Sequence, residues 1–141
     1  MTSRRDIERQ VEARAVGRCE YCRMYQSLQG ATFHIEHVIP LSRGGHSQLE
    51  NLAWACPSCN LHKANRLDAI DPDTGNRVPL FNPRSDYWDE HFRWDGYRIV
   101  GQTSIGRATV VALALNYPRR LQIRQAEELF DLFPPHVVGG S

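Results

Sequence analysis

Apolar residues recur at helical spacing near the start of the chain. In TSRRDIERQVEARAVG, Ile7, Val11 and Ala15 fall on one face. Thr2 or Ser3 can cap such a helix, and Gly17 can end it. The pattern predicts a short amphipathic helix within residues 1–18. Its outer face carries basic side chains that act either as solvated charges or as phosphate contacts, namely Arg4, Arg5, Arg9 and Arg14.

A different pattern follows in the next segment of the chain. Residues 31–39, ATFHIEHVI, are rich in β-branched and aromatic types and predict a strand. Residues 40–51 read as a long ordered loop with paired glycines, and LAWA at 52–55 reads as a second short strand. PSCNLHKANRLDAI, at 57–70, predicts a helix of two to three turns.

The second half of the chain predicts a connecting segment, a hairpin and two helices. Residues 71–86 are turn-rich and contain three prolines, so we expect a link there. Residues 87–103 predict a hairpin with a tight turn at Asp95-Gly96. An apolar helix is expected from Ser104 to 116, and another from Pro118 to before Pro134. Residues 136–141 read as a loose tail.

The aromatic residues of this hairpin have two readings. We expect them to pack against the apolar helix, and stacking on nucleic-acid bases is the alternative. They are Trp88, Phe92, Trp94 and Tyr97.

Length and charge narrow the class of protein. With 141 residues, 41% of them hydrophobic, the chain predicts one domain with a modest core. The formal net charge is only +1, but Lys63 is the only lysine among 17 basic residues. Because arginine suits phosphate, this bias is weak evidence for a phosphate-bearing partner. Three arginines of the last helix are expected to be solvated, with tracking of DNA as the alternative: Arg119, Arg120 and Arg124.

No segment reads as a membrane anchor or a secretion signal. The first residues are charged, and the longest nearly apolar run, ATVVALAL at 108–115, is too short to cross a bilayer. We therefore expect a cytoplasmic protein that does not bind membranes.

Four cysteines form two matched pairs, Cys19-x-x-Cys22 and Cys56-x-x-Cys59. A two-residue gap lets a turn point both sulfurs at one ion, and four thiolates suit tetrahedral zinc. The pairs therefore predict a structural zinc site, while free or redox-active thiols remain the alternative.

Residues 19–66 contain several further elements at consistent spacing. Glu36-His37 is followed by Pro40, Gly44-Gly45, Asn51-Leu52, Cys-x-x-Cys-Asn and finally Lys63. Together these residues resemble the HNH endonucleases of the ββα-metal class in their four-cysteine form. The resemblance implies an α+β fold with a zinc-stapled ββα core at 19–68. The N-terminal helix would precede this core, and residues 69–135, with the hairpin and two helices, would extend it.

The same resemblance implies a metal-dependent DNA endonuclease. His37 would be the general base that activates water, and Glu36 and Asn60 would bind catalytic Mg²⁺ or Mn²⁺. Asn51 would hold the glycine loop, in which Gly44 and Gly45 permit positive φ. Cleavage would leave 5′-phosphate and 3′-hydroxyl ends, with double-stranded DNA as the expected substrate.

Other polar residues near this motif have looser roles. Lys63 lies three residues after Asn60 and is expected to reach a phosphate, with Arg43 and Arg66 as further candidates. His34 would assist the metal or phosphate, or would be a structural histidine. His62 is expected at the surface, and His46 and His91 are read as ordinary polar residues.

Two alternative functions remain open on these residues. The first is a catalytically silent zinc module that binds nucleic acid or protein. The second is a nuclease directed at RNA, because such a metal site reads phosphate rather than sugar.

Overall fold

The computed structural model describes residues 3–28 and 32–135, and it combines five α-helices and three short 3-10 helices with three two-stranded antiparallel sheets in this part of the chain. This mixture confirms the predicted α+β class. The helices are α1 (Arg4–Ala15), α2 (Pro57–Lys63), α3 (Trp88–His91), α4 (Ser104–Ala112) and α5 (Pro118–Leu129). The strands are β1 (His34–His37), β2 (Leu52–Ala55), β3 (Asp68–Ile70), β4 (Arg77–Pro79), β5 (Phe92–Asp95) and β6 (Arg98–Gly101). The expected tail at 136–141 and the alternative cap Thr2 lie outside the described residues.

Helix α1 begins and ends at local signals that the sequence contains. The Ser3 hydroxyl accepts the Asp6 backbone N–H at 3.1 Å, and the Asp6 carboxylate accepts the Ser3 N–H at 3.4 Å. Val16 ends the helix in a left-handed conformation with φ 56°. Val11 is fully buried, and Ile7 and Ala15 pack against the same core. The predicted apolar face is therefore the face that is buried.

Strands β1 and β2 form the first hairpin, with His34 opposite Ala55 and His37 opposite Leu52. All four residues of β2 are buried, whereas β1 alternates and buries Glu36. Strand β1 is shorter than the predicted 31–39. Ala31 lies outside the described residues, and beyond His37 the chain turns into the loop at Pro40, which has no N–H for pairing.

The prediction of one helix over 57–70 is wrong after Lys63. Helix α2 ends there because Ala64 takes a positive φ of 48°. Asp68–Ile70 instead forms β3, which pairs with β4. Strand β4 lies inside residues 71–86, the segment that was expected to be only a link. Ala69 packs beside Leu80 and Ala108 in a small cluster, so the residues that stabilise β3 come from distant parts of the chain.

The hairpin predicted within residues 87–103 is present as β5 and β6, and its turn is displaced by one residue. Asp95 pairs with Arg98, so Gly96 and Tyr97 form the turn, and Gly96 has φ 60°. Helix α4 follows, and Ala114 at φ 50° lies just beyond its end, which comes before the predicted residue 116.

Both halves of the chain contribute to one main core. Val11, Trp54, Phe81, Phe92 and Leu113 are all buried in it. Trp88 and Phe92 are inside this core and Trp94 packs against it, although Trp88 lies in α3 and not in the hairpin predicted for it. No helix in the described ranges has both the length and the apolar character needed to cross a membrane.

Candidate active site and cysteine cluster

The four cysteines meet at one point in the fold. Their Sγ atoms all lie within 4.8 Å of one another, and all four residues are fully buried. The Sγ atoms of Cys22 and Cys56 are 3.7 Å apart. A zinc–sulfur bond of about 2.3 Å places tetrahedral thiolates about 3.8 Å apart, so the donor set fits zinc. The described cysteines form no disulfide.

Local turns aim each pair of sulfurs. The Cys19 N–H donates to Met24 O at 2.9 Å, and the Arg23 N–H donates to Cys19 O at 2.9 Å, which closes a turn around the first pair. Cys56 is the N-cap of α2, and the Cys59 N–H donates to its Sγ at 3.3 Å. Each Cys-x-x-Cys turn therefore points its two sulfurs toward one place, as the sequence predicted.

Arg120 links the last helix to this cluster, a contact that the sequence did not reveal. Its Nη1 lies 3.2 Å from Cys59 Sγ, and its Nη2 donates to Ser58 Oγ at 2.6 Å and to Leu113 O at 2.9 Å. Burial alone would lower the pKa of Arg120, but the neighbouring thiolates raise it above the ordinary arginine value. A positive charge at this place stabilises the thiolate form that a metal requires.

The expectation that these helix arginines are solvated is therefore wrong for two of the three. Arg124 is also fully buried, and it donates to Tyr97 O at 2.9 Å and to Leu115 O at 2.7 Å. Arg119 alone is exposed. Helical spacing placed Arg120 and Arg124 on one face, but nothing in the sequence showed that this face packs on the cysteine cluster.

Glu36 lies in a buried polar network rather than in open solvent. Its carboxylate accepts hydrogen bonds from the Tyr21 hydroxyl and from Lys63 Nζ, the latter at 2.8 Å. Glu36 is 5% exposed and Lys63 2% exposed. Burial raises the pKa of Glu36, and the charge and hydrogen bond of Lys63 oppose that rise. The ammonium group of Lys63 thus occupies one position beside the carboxylate that a cation would take.

This arrangement differs from the phosphate contact expected of Lys63. Its Nζ also donates to Val38 O at 2.8 Å and lies 3.4 Å from His37 O. From this buried position it does not face solvent, because α2 packs its Lys63 side onto β1. Tyr21 was missed altogether, although its place inside the Cys-x-x-Cys turn is visible in the sequence.

His37 is half-buried, and its Nε2 lies 2.9 Å from the Ser47 hydroxyl. No carboxylate contacts its ring among the described residues. The imidazole therefore remains near the surface, beside the loop formed by residues 38–51.

Asn51 joins the two ends of that loop. Its Oδ1 accepts the Ile39 N–H at 2.9 Å, and its Nδ2 donates to Ile39 O at 3.0 Å and to His46 O at 2.9 Å. These are backbone contacts of the kind expected for Asn51. Its part in catalysis stays a prediction.

The paired glycines serve two different needs. Gly44 has φ 90°, as expected, but Gly45 does not have a positive φ. A Cβ atom at Gly45 would lie 1.8 Å from Ile39 O and 2.9 Å from Asn51 Nδ2. Gly45 is therefore needed for the close approach of the loop to Asn51, which corrects the expectation of positive φ there.

The remaining predicted site residues are exposed or half-exposed. Asn60 is half-exposed on α2, and its side-chain amide has no hydrogen-bond partner within the described ranges. Arg43 is exposed and donates to Asn65 O at 3.0 Å, while Arg66 and His34 are exposed. The His62 ring lies 2.8 Å from Ser58 O.

Comparison with known proteins identifies the segment that contains these residues. Residues 19–66 match the family model of HNH endonucleases. No curated protein and no solved structure gives a significant match. The segment 19–66 is therefore similar to an HNH endonuclease domain, and its four cysteines are positioned to form a metal site. Such a domain indicates a nuclease or a nucleic-acid-binding role.

Proposed function

We propose that this chain is a divalent-metal-dependent DNA endonuclease of the ββα-metal class, with a structural zinc at the four cysteines. The observation that carries this proposal is the Asn51 clamp, which fixes the loop beside a half-exposed His37 by three hydrogen bonds. A general base must be positioned before it can act, and the imidazole is the side chain that most often serves as one.

Glu36 and Asn60 would hold the catalytic Mg²⁺ or Mn²⁺. The donor set fits a hard cation, because the Asn60 amide is unpartnered in the described chain and Glu36 already attracts a positive charge at 2.8 Å. Lys63 would have to release one carboxylate oxygen for such an ion to bind. When bound, the ion would neutralise charge that develops on the phosphoryl oxygens.

The chain's own residues would then position and deprotonate the water. His37 Nδ1 would take the proton of the attacking water, while Nε2–H would donate to the Ser47 hydroxyl, whose 2.9 Å contact orients the imidazole. In-line attack would give 5′-phosphate and 3′-hydroxyl ends. Arg43, Arg66 and His34 are exposed and would contact the backbone of double-stranded DNA. The cytoplasmic location expected from the sequence remains a prediction.

Nicking of supercoiled plasmid in Mg²⁺ or Mn²⁺ tests this proposal. We expect His37→Ala to lower the rate by about 10²- to 10⁴-fold, the usual contribution of a general base. Its zinc content and circular dichroism should stay those of wild type. His62→Ala is the matched control, because His62 is also half-exposed but bonds only within α2. If His37→Ala nicks as fast as wild type, His37 is not the base.

A silent zinc module is the rival function, and one observation favours it. Glu36 already has a cation partner in Lys63, as a purely structural carboxylate would. In that case neither metal would support nicking by wild type, while zinc would still be bound. A parallel assay on labelled RNA separates the RNA-directed alternative from the DNA endonuclease.

A further inference from the structure

A cavity of about 530 Å³ lies between α1, the first cysteine turn and the segment around residues 81–89. None of Glu36, His37, Asn51 and Asn60 lines it. It is therefore separate from the candidate active site, and neither the family match nor the sequence motif assigns it a role.

Four arginines line this cavity: Arg14, Arg18, Arg23 and Arg84. Only Arg84 has a carboxylate partner, Glu20, among the ion pairs of the described residues. Burial lowers the pKa of Arg14, Arg18 and Arg23, and the nearby charge of Arg84 lowers that of Arg14 further. Nearby carboxylates act in the opposite direction on these pKa values, but none of them forms an ion pair with Arg14, Arg18 or Arg23 in the described residues, so a bound anion would meet cations without an ion-pair partner.

Backbone carbonyls hold two of these guanidinium groups in place. Arg14 donates to Leu49 O at 3.0 Å and to Leu52 O at 2.5 Å. Arg18 donates to Arg23 O and to Leu132 O, both at 2.7 Å. Carbonyl acceptors orient a guanidinium but do not neutralise its charge. The positions are therefore fixed, and the charge remains available to a ligand.

The acidic residues that line the cavity form no ion pair with Arg14, Arg18 or Arg23 in the described part of the chain. Glu20 is committed to Arg84 and to the Trp54 N–H at 2.9 Å. Asp86 accepts the Asn82 N–H at 2.9 Å, and Asp89 is exposed. A phosphate is therefore best accommodated near Arg14, Arg18 and Arg23.

Aromatic side chains also line the cavity, among them Trp88 and Tyr87. Arg23 lies over the Trp88 ring at 5.3 Å, and the Trp88 indole N–H donates to Tyr21 O at 2.9 Å. Tyr87 is 63% exposed, and its ring has no aromatic contact within the described ranges. A flat, exposed ring beside fixed cations is the combination that binds a nucleotide by stacking and charge.

We propose that this cavity binds one nucleotide unit of a nucleic-acid strand, with its phosphate at Arg14, Arg18 and Arg23 and its base on Tyr87. The strand as ligand rests on the proposed function. Arg14 connects the two sites, because it donates to Leu52 O, and Leu52 pairs with His37. The cavity contributes to affinity and not to chemistry.

Binding can be measured without cleavage. The probe is a fluorescein-labelled single-stranded oligodeoxynucleotide, and the protein carries His37→Ala. We expect Arg23→Gln and Tyr87→Ala each to weaken binding by about tenfold, since stacking and phosphate contacts are each worth about 1–3 kcal/mol. Tyr87→Ala removes an exposed ring and leaves the fold intact if Arg23→Gln should disturb it.

Matched controls come from the same chain. Tyr117 is 60% exposed and Arg93 is exposed, and neither lines the cavity. Tyr117→Ala and Arg93→Gln should change the dissociation constant less than twofold. If Arg23→Gln and Tyr87→Ala bind like their parent, the cavity does not bind the strand, and the proposal is overturned.

A free nucleotide is a second source of the same chemistry. Titration calorimetry with deoxyadenosine monophosphate distinguishes the two sources. Binding of this nucleotide that depends on Arg23, without an Arg23 effect on the oligonucleotide, would overturn the strand proposal in favour of a free nucleotide. Neither binding assay measures nicking. A failure of the nuclease proposal would therefore leave the binding result valid, and a failure of the binding proposal would leave the nicking result valid.

Discussion

Two hairpins of the described chain are each followed within three residues by a helix, which makes two units with the same order of elements. The first consists of β1, β2 and α2, and the second of β5, β6 and α4. In the first, residues 38–51 separate the strands, whereas Gly96 and Tyr97 alone join those of the second. The long connection gives the first unit room for a loop that Asn51 organises.

The helix is attached differently in the two units. In the first, Lys63 of α2 bonds Glu36 of β1, and the cysteine cluster fixes the start of the helix. In the second, two glycines let the backbones touch, because a Cβ atom at Gly101 would lie 2.3 Å from Arg107 N. The first contact uses buried charge and sulfur, and the second uses close packing.

This difference separates stability from chemistry. Burying a charge pair is a poor way to gain stability, since its desolvation offsets much of its attraction. The first unit keeps such a pair between its helix and its hairpin, whereas the charged residue of α4, Arg107, pairs with Asp71 outside its own unit. Because the first unit also lies in the segment similar to HNH endonucleases and contains the Asn51 loop, we place the candidate active site there.

The largest effect is expected from Cys56→Ser, which removes one of the four thiolates of the cysteine cluster. A structural zinc contributes about 10 kcal/mol or more in apparent binding energy, and whole domains are stable by only about 5–15 kcal/mol. We therefore expect loss of zinc and unfolding of the first unit, measured by metal analysis and circular dichroism. Ser42→Ala, at an exposed loop position, is the control. If the Cys56→Ser protein keeps zinc and melts like wild type, the cysteine cluster does not stabilise the first unit.

The next test breaks the charged contact with Lys63→Met. Leaving Glu36 buried without its cation should lower the free energy of unfolding by about 3–5 kcal/mol in urea denaturation. Mn²⁺ should then raise the melting temperature of this variant more than that of wild type, because the ion replaces Lys63 beside the carboxylate. Adding Glu36→Gln should recover part of the stability and abolish the Mn²⁺ effect. Equal Mn²⁺ effects in Lys63→Met and wild type would show that Glu36 does not bind the ion.

Local sequence signals predicted those parts of the fold that depend on near neighbours. The Ser3 cap, the face of α1 that contains Val11, and the cysteine turns all involve residues a few positions apart. The Asn51 contacts agree with the family resemblance. Strand β3 was missed because its partner strand and its apolar neighbour Ala108 lie elsewhere in the chain.

The charged residues show the same limit at the site. Arg120 and Lys63 look like surface residues in sequence, yet they are 4% and 2% exposed. Their acceptors, Cys59 and Glu36, are 61 and 27 residues away. Spacing within a helix shows which residues share a face, but only the tertiary fold shows what that face contacts.

The smallest effect is expected from Gly106→Ala, which disturbs the close packing of α4 in the second unit. In an isolated helix this change would stabilise by about 1 kcal/mol. Here the new Cβ would lie 2.0 Å from His91 O, so we expect a loss of about 1–3 kcal/mol, as for overpacked cores. Val111→Ala, at a position 62% exposed on the same helix, should change stability far less. At a temperature where Gly106→Ala is folded, its zinc content and plasmid nicking should equal those of wild type. Loss of nicking by the folded variant would mean that the second unit takes part in the chemistry, and the separation of the two units would then be wrong.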